Sequence, residues 1–233
     1  MTLPTELDSR QQDNPEVKMG KKQTAVMVVA HPDDETLWAG GTMLMHPDWQ
    51  WTVVSLCRRS DPDRRPRFLQ ATQKLGATGV MGDLNDGPEQ SPLPETQVQQ
   101  TLLSLLPPEY SNLILTHSPY GEYTRHRRHE ETSRAVIRLW EAGLIKTDEV
   151  WMFAYEDSGK GGRDDLPRAV KTAHLVVPLP EDIWQEKYRT ITEIYGFSPE
   201  NYEACITLRE EAFWCFRSPV AFREWLKTRG REQ

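Results

Sequence analysis

Six consecutive residues, Ala30-His31-Pro32-Asp33-Asp34-Glu35, set one imidazole beside three carboxylates. His31 is a borderline nitrogen donor and Asp34 a hard oxygen donor, so the pair could ligate zinc from one turn, with Asp33 left free as a base. Helix capping is the competing reading, because carboxylates at 33, 34 and 35 are favourable beside the free N–H groups and positive dipole end of a helix N-terminus. Capping does not account for a histidine between an apolar run and an acidic one. Further along, His126 and His129 are three apart, which on a first helical turn places them on one face.

These residues need elements to hold them. Ala25 to Ala30 (AVMVVA) is too short for a membrane span and β-branched enough for a buried strand, which Pro32 stops. Glu35 to Met45 reads as a helix weakened by Gly40 and Gly41. The acidic cluster therefore sits at a strand-to-helix turn, the end of an open α/β sheet where ligands bind. Leu113 to Thr116 is a short strand leading to the second group, and Glu130 to Glu141 is helical in composition.

Further strands are expected at Trp51–Cys57, Gly79–Leu84, Val150–Ala154 and, last, His174–Pro178. Helices are expected at Phe68–Leu75, Glu95–Leu106, Trp184–Tyr195, Tyr202–Phe216 and Ala221–Thr228. Asn85-Asp86-Gly87-Pro88 is a turn signal. Asp157 to Pro167, glycine-rich and charged, reads as a surface loop placed to cover the site, and it lacks the order of a phosphate-binding loop. The alternation predicts an α/β fold: a single Rossmann-like domain over residues 23–233, with a mostly parallel sheet and helices on both faces. Residues 1–22 read as a polar N-terminal tail with no apolar signal-peptide core.

A net charge of −7 argues against a nucleic-acid surface. Three cysteines, Cys57, Cys205 and Cys215, form neither a CxxC pair nor a disulfide framework, which points to a reducing cytoplasm. No stable membrane insertion is expected, and a homo-oligomer is compatible with the sequence. Eight tryptophans could stack on sugar rings, although core packing is the plainer use. Arginines 58, 59, 64, 65 and 67 crowd one loop, where they meet either solvent or an anionic substrate group.

The run VVAHPDDE, followed by THSPYGEY and then His-x-x-His, resembles the PIG-L/LmbE-like family of zinc-dependent N-deacetylases. Arg67, Ala71, Leu75-Gly76-Ala77 and Asp86-Gly87 look like further landmarks of that family, and the resemblance covers Lys22 to Trp140. It implies one zinc ion per chain, held by His31, Asp34 and His129, with Asp33 as general base. It also implies His126 as the electrophilic or acid partner, Tyr123 and Arg67 near the oxyanion or substrate, and Asp86 near a sugar hydroxyl. The substrate would be a small molecule or glycoconjugate of the N-acetylglucosamine type.

The chain departs from the family at Arg128, where an Asp is usual, at Gln70, where a Glu is common, and in a Tyr123–His126 gap one residue longer than usual. These departures keep a second expectation open, a sugar-binding relative that holds zinc without turnover. A His31, Asp33 and His129 triad for non-haem iron is a further reading. A nucleotide-binding domain ranks last, because no GxGxxG follows the first strand.

Overall fold

The computed structural model describes residues 22–158 and 166–229. Nearly all of the expected tail, and most of the Asp157–Pro167 loop, lie outside the described residues.

Five strands form a parallel sheet: β1 (Thr24–Val29), β2 (Gln50–Cys57), β3 (Ala77–Leu84), β4 (Ser111–Thr116) and β5 (Thr147–Phe153). After a two-residue pair, β6 (Tyr155–Glu156) with β7 (Arg168–Ala169), the chain adds β8 (Leu175–Pro178) and β9 (Glu210–Phe216), which extend the sheet antiparallel. The order is β3-β2-β1-β4-β5-β9-β8. Strand order reverses between β1 and β4, so the crevice of an open α/β sheet opens at their C-terminal ends. Ala25 to Val29 are at most 2% exposed, as a strand covered on both faces requires.

Helices α1 (Asp34–Met45), α2 (Arg64–Lys74), α3 (Glu95–Leu105) and α4 (Arg127–Glu141) follow β1 to β4 in turn. Later come α5 (Glu181–Arg189), a π-helical turn (Thr190–Ile194), α6 (Tyr202–Cys205) and α7 (Pro219–Arg229). One layer joins α3, α4 and α7, and the other joins α1, α2, α5 and the π turn. Among the described residues no helix is long and apolar enough to cross a membrane.

The stretch expected as a helix over Tyr202–Phe216 is not one. It breaks after Cys205 and re-enters the sheet as β9, between β5 and β8. Phe213, Trp214 and Phe216 fill the sheet's layers there, and tertiary packing of aromatics outweighs local helical composition. Strand β9 also supplies Glu211. Its carboxylate accepts the N–H groups of Gly41 (2.8 Å) and Thr42 (2.7 Å), the Thr42 hydroxyl (2.7 Å) and the Lys187 ammonium (2.7 Å). Both charged side chains are fully buried, so each satisfies the other, and α1 is gripped at its middle.

Candidate metal and catalytic centre

The turn after β1 is built from backbone N–H groups folded onto carboxylates. Asp34 Oδ2 accepts the His31 amide at 2.9 Å, and Glu35 Oε2 accepts the Asp33 amide at 3.0 Å. Asp33 occupies the helix N-cap position with φ 108° and makes no side-chain cap bond. Capping therefore does not explain the acidic run. Asp34 and Glu35 hold the turn, and Asp33 and Asp34 face the crevice.

His31 Nδ1 lies 3.2 Å from Asp34 Oδ2 and 3.2 Å from His129 Nε2, and the last two atoms are 3.4 Å apart. A tetrahedral ion about 2.0–2.1 Å from each of three donors would space them about 3.3 Å apart, so the triangle fits zinc. The far nitrogens agree. His31 Nε2 faces Asp86 Oδ1 at 3.1 Å, and His129 Nδ1 faces Glu122 Oε2 at 2.5 Å. Each carboxylate holds a proton on the outer nitrogen and turns the inner lone pair to the centre.

His117, stacked on His129 with centroids 3.9 Å apart, accepts the Ala30 amide at Nε2 (2.9 Å) and faces Glu122 Oε1 through Nδ1 (2.8 Å). That fixes it as a neutral Nδ1–H imidazole and occupies both of its nitrogens. Glu122 thus serves two histidines. Burial would raise its carboxyl, but the hydrogen bonds from both imidazoles favour the carboxylate and hold it below its ordinary range. Gly121, with φ 77°, makes the turn that brings Glu122 inward, and a Cβ there would strike the Thr124 carbonyl.

Other clusters among the described residues could hold a metal: His31, His126 and His129; His31, Cys57 and Asp86; and Asp34, His117 and His129. The second is poorer in donors, because burial pushes the Cys57 thiol up to about 12 and the Asp86 oxygens are engaged. The third is poorer because of the Ala30–His117 bond.

Around this centre is a cavity of about 590 Å³ lined by Asp33, Arg58, Arg64, Tyr123, His126 and Tyr202 among others. Burial, then the Asp34 and Glu35 carboxylates, push the Asp33 carboxyl well above its ordinary range, which suits a base. Arg64 Nη1 lies 3.7 Å from Asp33 Oδ2. His126 packs against His31 and His129 with centroids 4.8 and 4.4 Å away. Its Nδ1 is buried with no hydrogen-bond partner, and burial with the two neighbouring imidazoles pushes it down to about 4. It is therefore a neutral imidazole at pH 7. Tyr123 stands against Trp38 and Tyr202, both centroids 5.8 Å away, and forms an aromatic wall.

Residues 26–140 match the family described as PIG-L: GlcNAc-PI de-N-acetylase. Over that stretch, from β1 through nearly all of α4, the chain is similar to the PIG-L family. An uncharacterised protein of Acanthamoeba polyphaga mimivirus is 25% identical over 132 residues, which are 51% of this chain and 58% of that protein's length. The N,N′-diacetylchitobiose deacetylase from Pyrococcus horikoshii has a TM-score of 0.64 at 15% identity, covering 86% of this chain and 85% of its own. The 4-carboxy-2-hydroxymuconate hydratase from Pseudomonas putida has 0.54 at 15% identity, covering 79% and 82%. At such identities the likeness is one of fold, and a deacetylase and a hydratase share it.

Arg67 and Asp86, both expected near the substrate, differ in place. Arg67 does not line the cavity. It bonds Asp63 (2.8 Å) and the Ile194 carbonyl (3.0 Å), because only the start of α2 reaches the crevice, and Arg64 occupies it. Asp86 lines the cavity, and its oxygens meet His31, Gln90 (2.8 Å) and Arg58 (2.9 and 2.6 Å). His117, Glu122, Arg58 and Arg64 had no individual role in the sequence reading. Position after a strand end was the available signal for His117 and Arg58.

Proposed function

We propose that this protein is a metal-dependent N-deacetylase that removes the acetyl group from an N-acetylglucosamine-type small molecule or glycoconjugate. The observation that carries the reading is the triangle of His31 Nδ1, Asp34 Oδ2 and His129 Nε2, with edges of 3.2–3.4 Å. Three protein donors leave a coordination position open, as catalytic sites require. Zinc bound there, one ion per chain, would supply an activated water and polarise the acyl carbonyl.

The remaining steps belong to the chain. Asp33, free of the triangle and raised in basicity, takes the proton of the attacking water. The neutral His126 and the Tyr123 phenol offer N–H and O–H donors to the carbonyl oxygen as it gains charge. Arg64 holds Asp33 from the other side and gives the cavity a positive edge. The Trp38–Tyr123–Tyr202 wall offers flat faces for a sugar ring. The free cysteines are in keeping with the cytoplasm.

The test is release of free amine and acetate from a panel of N-acetylglucosamine derivatives by zinc-loaded protein, with Asp33→Asn as control. Release that disappears in the control supports the reading. One zinc per chain with no release from any member, together with glycan binding, would favour the binding-only relative.

A further inference from the structure

We propose that Arg128 is a positioning residue for the His31 ligand, acting through the loop that carries Asp86; this rests on the metal-dependent reading above. Arg128 is 2% exposed, and its guanidinium bridges two separate strips of backbone. Nε donates to the Asn85 carbonyl at 2.6 Å, and Nη2 donates to the Ser91 carbonyl at 2.8 Å. Nη1 donates to Glu131 Oε2 at 2.5 Å, and Glu131 Oε1 accepts the Leu93 amide at 3.0 Å. Two residues of α4 thus grip residues 85–93 at three points.

Between Asn85 and Ser91 lie Asp86 and Gln90, which are bonded to each other and, through Asp86, to His31 Nε2. The next residue of α4 after Arg128 is His129. One helical turn therefore carries a ligand directly and sets the other ligand's orienting carboxylate at a distance. An aspartate at 128 could accept hydrogen bonds but could not donate to the Asn85 and Ser91 carbonyls. Lysine would keep the charge, yet a single ammonium cannot reproduce the planar fork that meets three acceptors in different directions.

The experiment measures zinc dissociation constants by competition with a chromophoric chelator for wild type, Arg128→Lys, Asp86→Asn and the double variant. Loss of a group that orients a ligand typically weakens metal binding about 10–100-fold. Arg128→Lys is expected to weaken zinc about tenfold at least, and the double variant to bind as Asp86→Asn does, because both act on one bond. Glu131→Gln, a milder change to the same clamp, is expected to weaken zinc in the same direction and serves if Arg128→Lys does not fold. Unchanged affinity in both clamp variants overturns the proposal and leaves the deacetylase reading standing. A clamp effect that persists at full size in the Asp86→Asn background also overturns it. Wild type that binds no zinc overturns both readings.

Discussion

Glu35 Oε2 accepts the Asp33 amide at 3.0 Å, at a residue whose φ is 108°. A non-glycine residue there is strained by about 1–3 kcal/mol, and such strain persists only where its surroundings enforce it. Here Glu35 enforces it. Its other oxygen accepts the Thr36 hydroxyl (2.6 Å) and the Tyr195 phenol (2.7 Å), so the carboxylate cannot turn away.

Asp33→Gly should therefore stabilise the metal-free protein while removing turnover. Glycine relieves the positive φ, and the change removes a buried carboxylate from beside Asp34 and Glu35. A gain of about 1 kcal/mol in denaturant unfolding is expected. A loss of stability would contradict the strain argument.

The two arginines three residues apart should separate cleanly. Arg67→Ala deletes bonds to Asp63 and Ile194, away from the cavity, and should cost about 1–2 kcal/mol of stability with KM unchanged. Arg64→Ala removes the cation beside Asp33 and should lower kcat/KM with a smaller effect on unfolding. The two unfolding curves and two sets of kinetics decide it; an effect of Arg67→Ala on KM alone would return that residue to the site.

Metal affinity should depend on pH with a defined sign. Although burial works against it, Asp34 and Glu122 raise the His129 imidazole to about 9 in the metal-free site. Below that pH the site holds a proton that zinc must displace, and His31, raised by Asp34 and Asp86 against burial, adds a second at the acid end, so affinity should rise with pH by at least about tenfold per unit and level off near pH 9. Zinc competition titrations at several pH values between about 6 and 8 read the slope, and a flat profile would exclude proton displacement from His129.

Thiol labelling should be selective. Cys57 is buried on β2 and its thiol is pushed up to about 12, whereas Cys205 is exposed. At pH 8 an alkylating reagent should modify Cys205 and leave Cys57 unreacted until the protein unfolds. Peptide mass mapping reports both sites, and early modification of Cys57 would mean that β2 opens easily.

How far residues announce their places depends on where their partners lie. β1 was legible because burial on both faces demands one unbroken apolar run. β9 was not, because its Glu211 is polar in sequence and becomes buried only on meeting Gly41, Thr42 and Lys187. His31, Asp34 and His129 were named together through the resemblance to the PIG-L/LmbE-like family, and the fold brings them together. Arg67 was expected near the substrate because the sequence does not show that α2 reaches the crevice only at its start, where Arg64 stands. Asp86 was expected near a sugar hydroxyl, because its three protein partners, from the turn after β1, the residue after β2 and its own loop, come together only in the fold. Glu122 was passed over because its hydrogen bonds run to side chains on either side of the cluster, visible only in three dimensions.

The grip of Glu211 on α1 bears on the order in which the protein is made. Every proposed ligand and the base have left the ribosome by His129, but the carboxylate that fixes the middle of α1 comes 169–170 residues after the amides it binds. Its ammonium counterpart, Lys187, also lies beyond the stretch matched to the family. A nascent chain that stops short of Glu211 therefore has Asp34 on a helix with one side unmoored. The helix that carries Asp34 gains this anchor only where β9 lies beside β5.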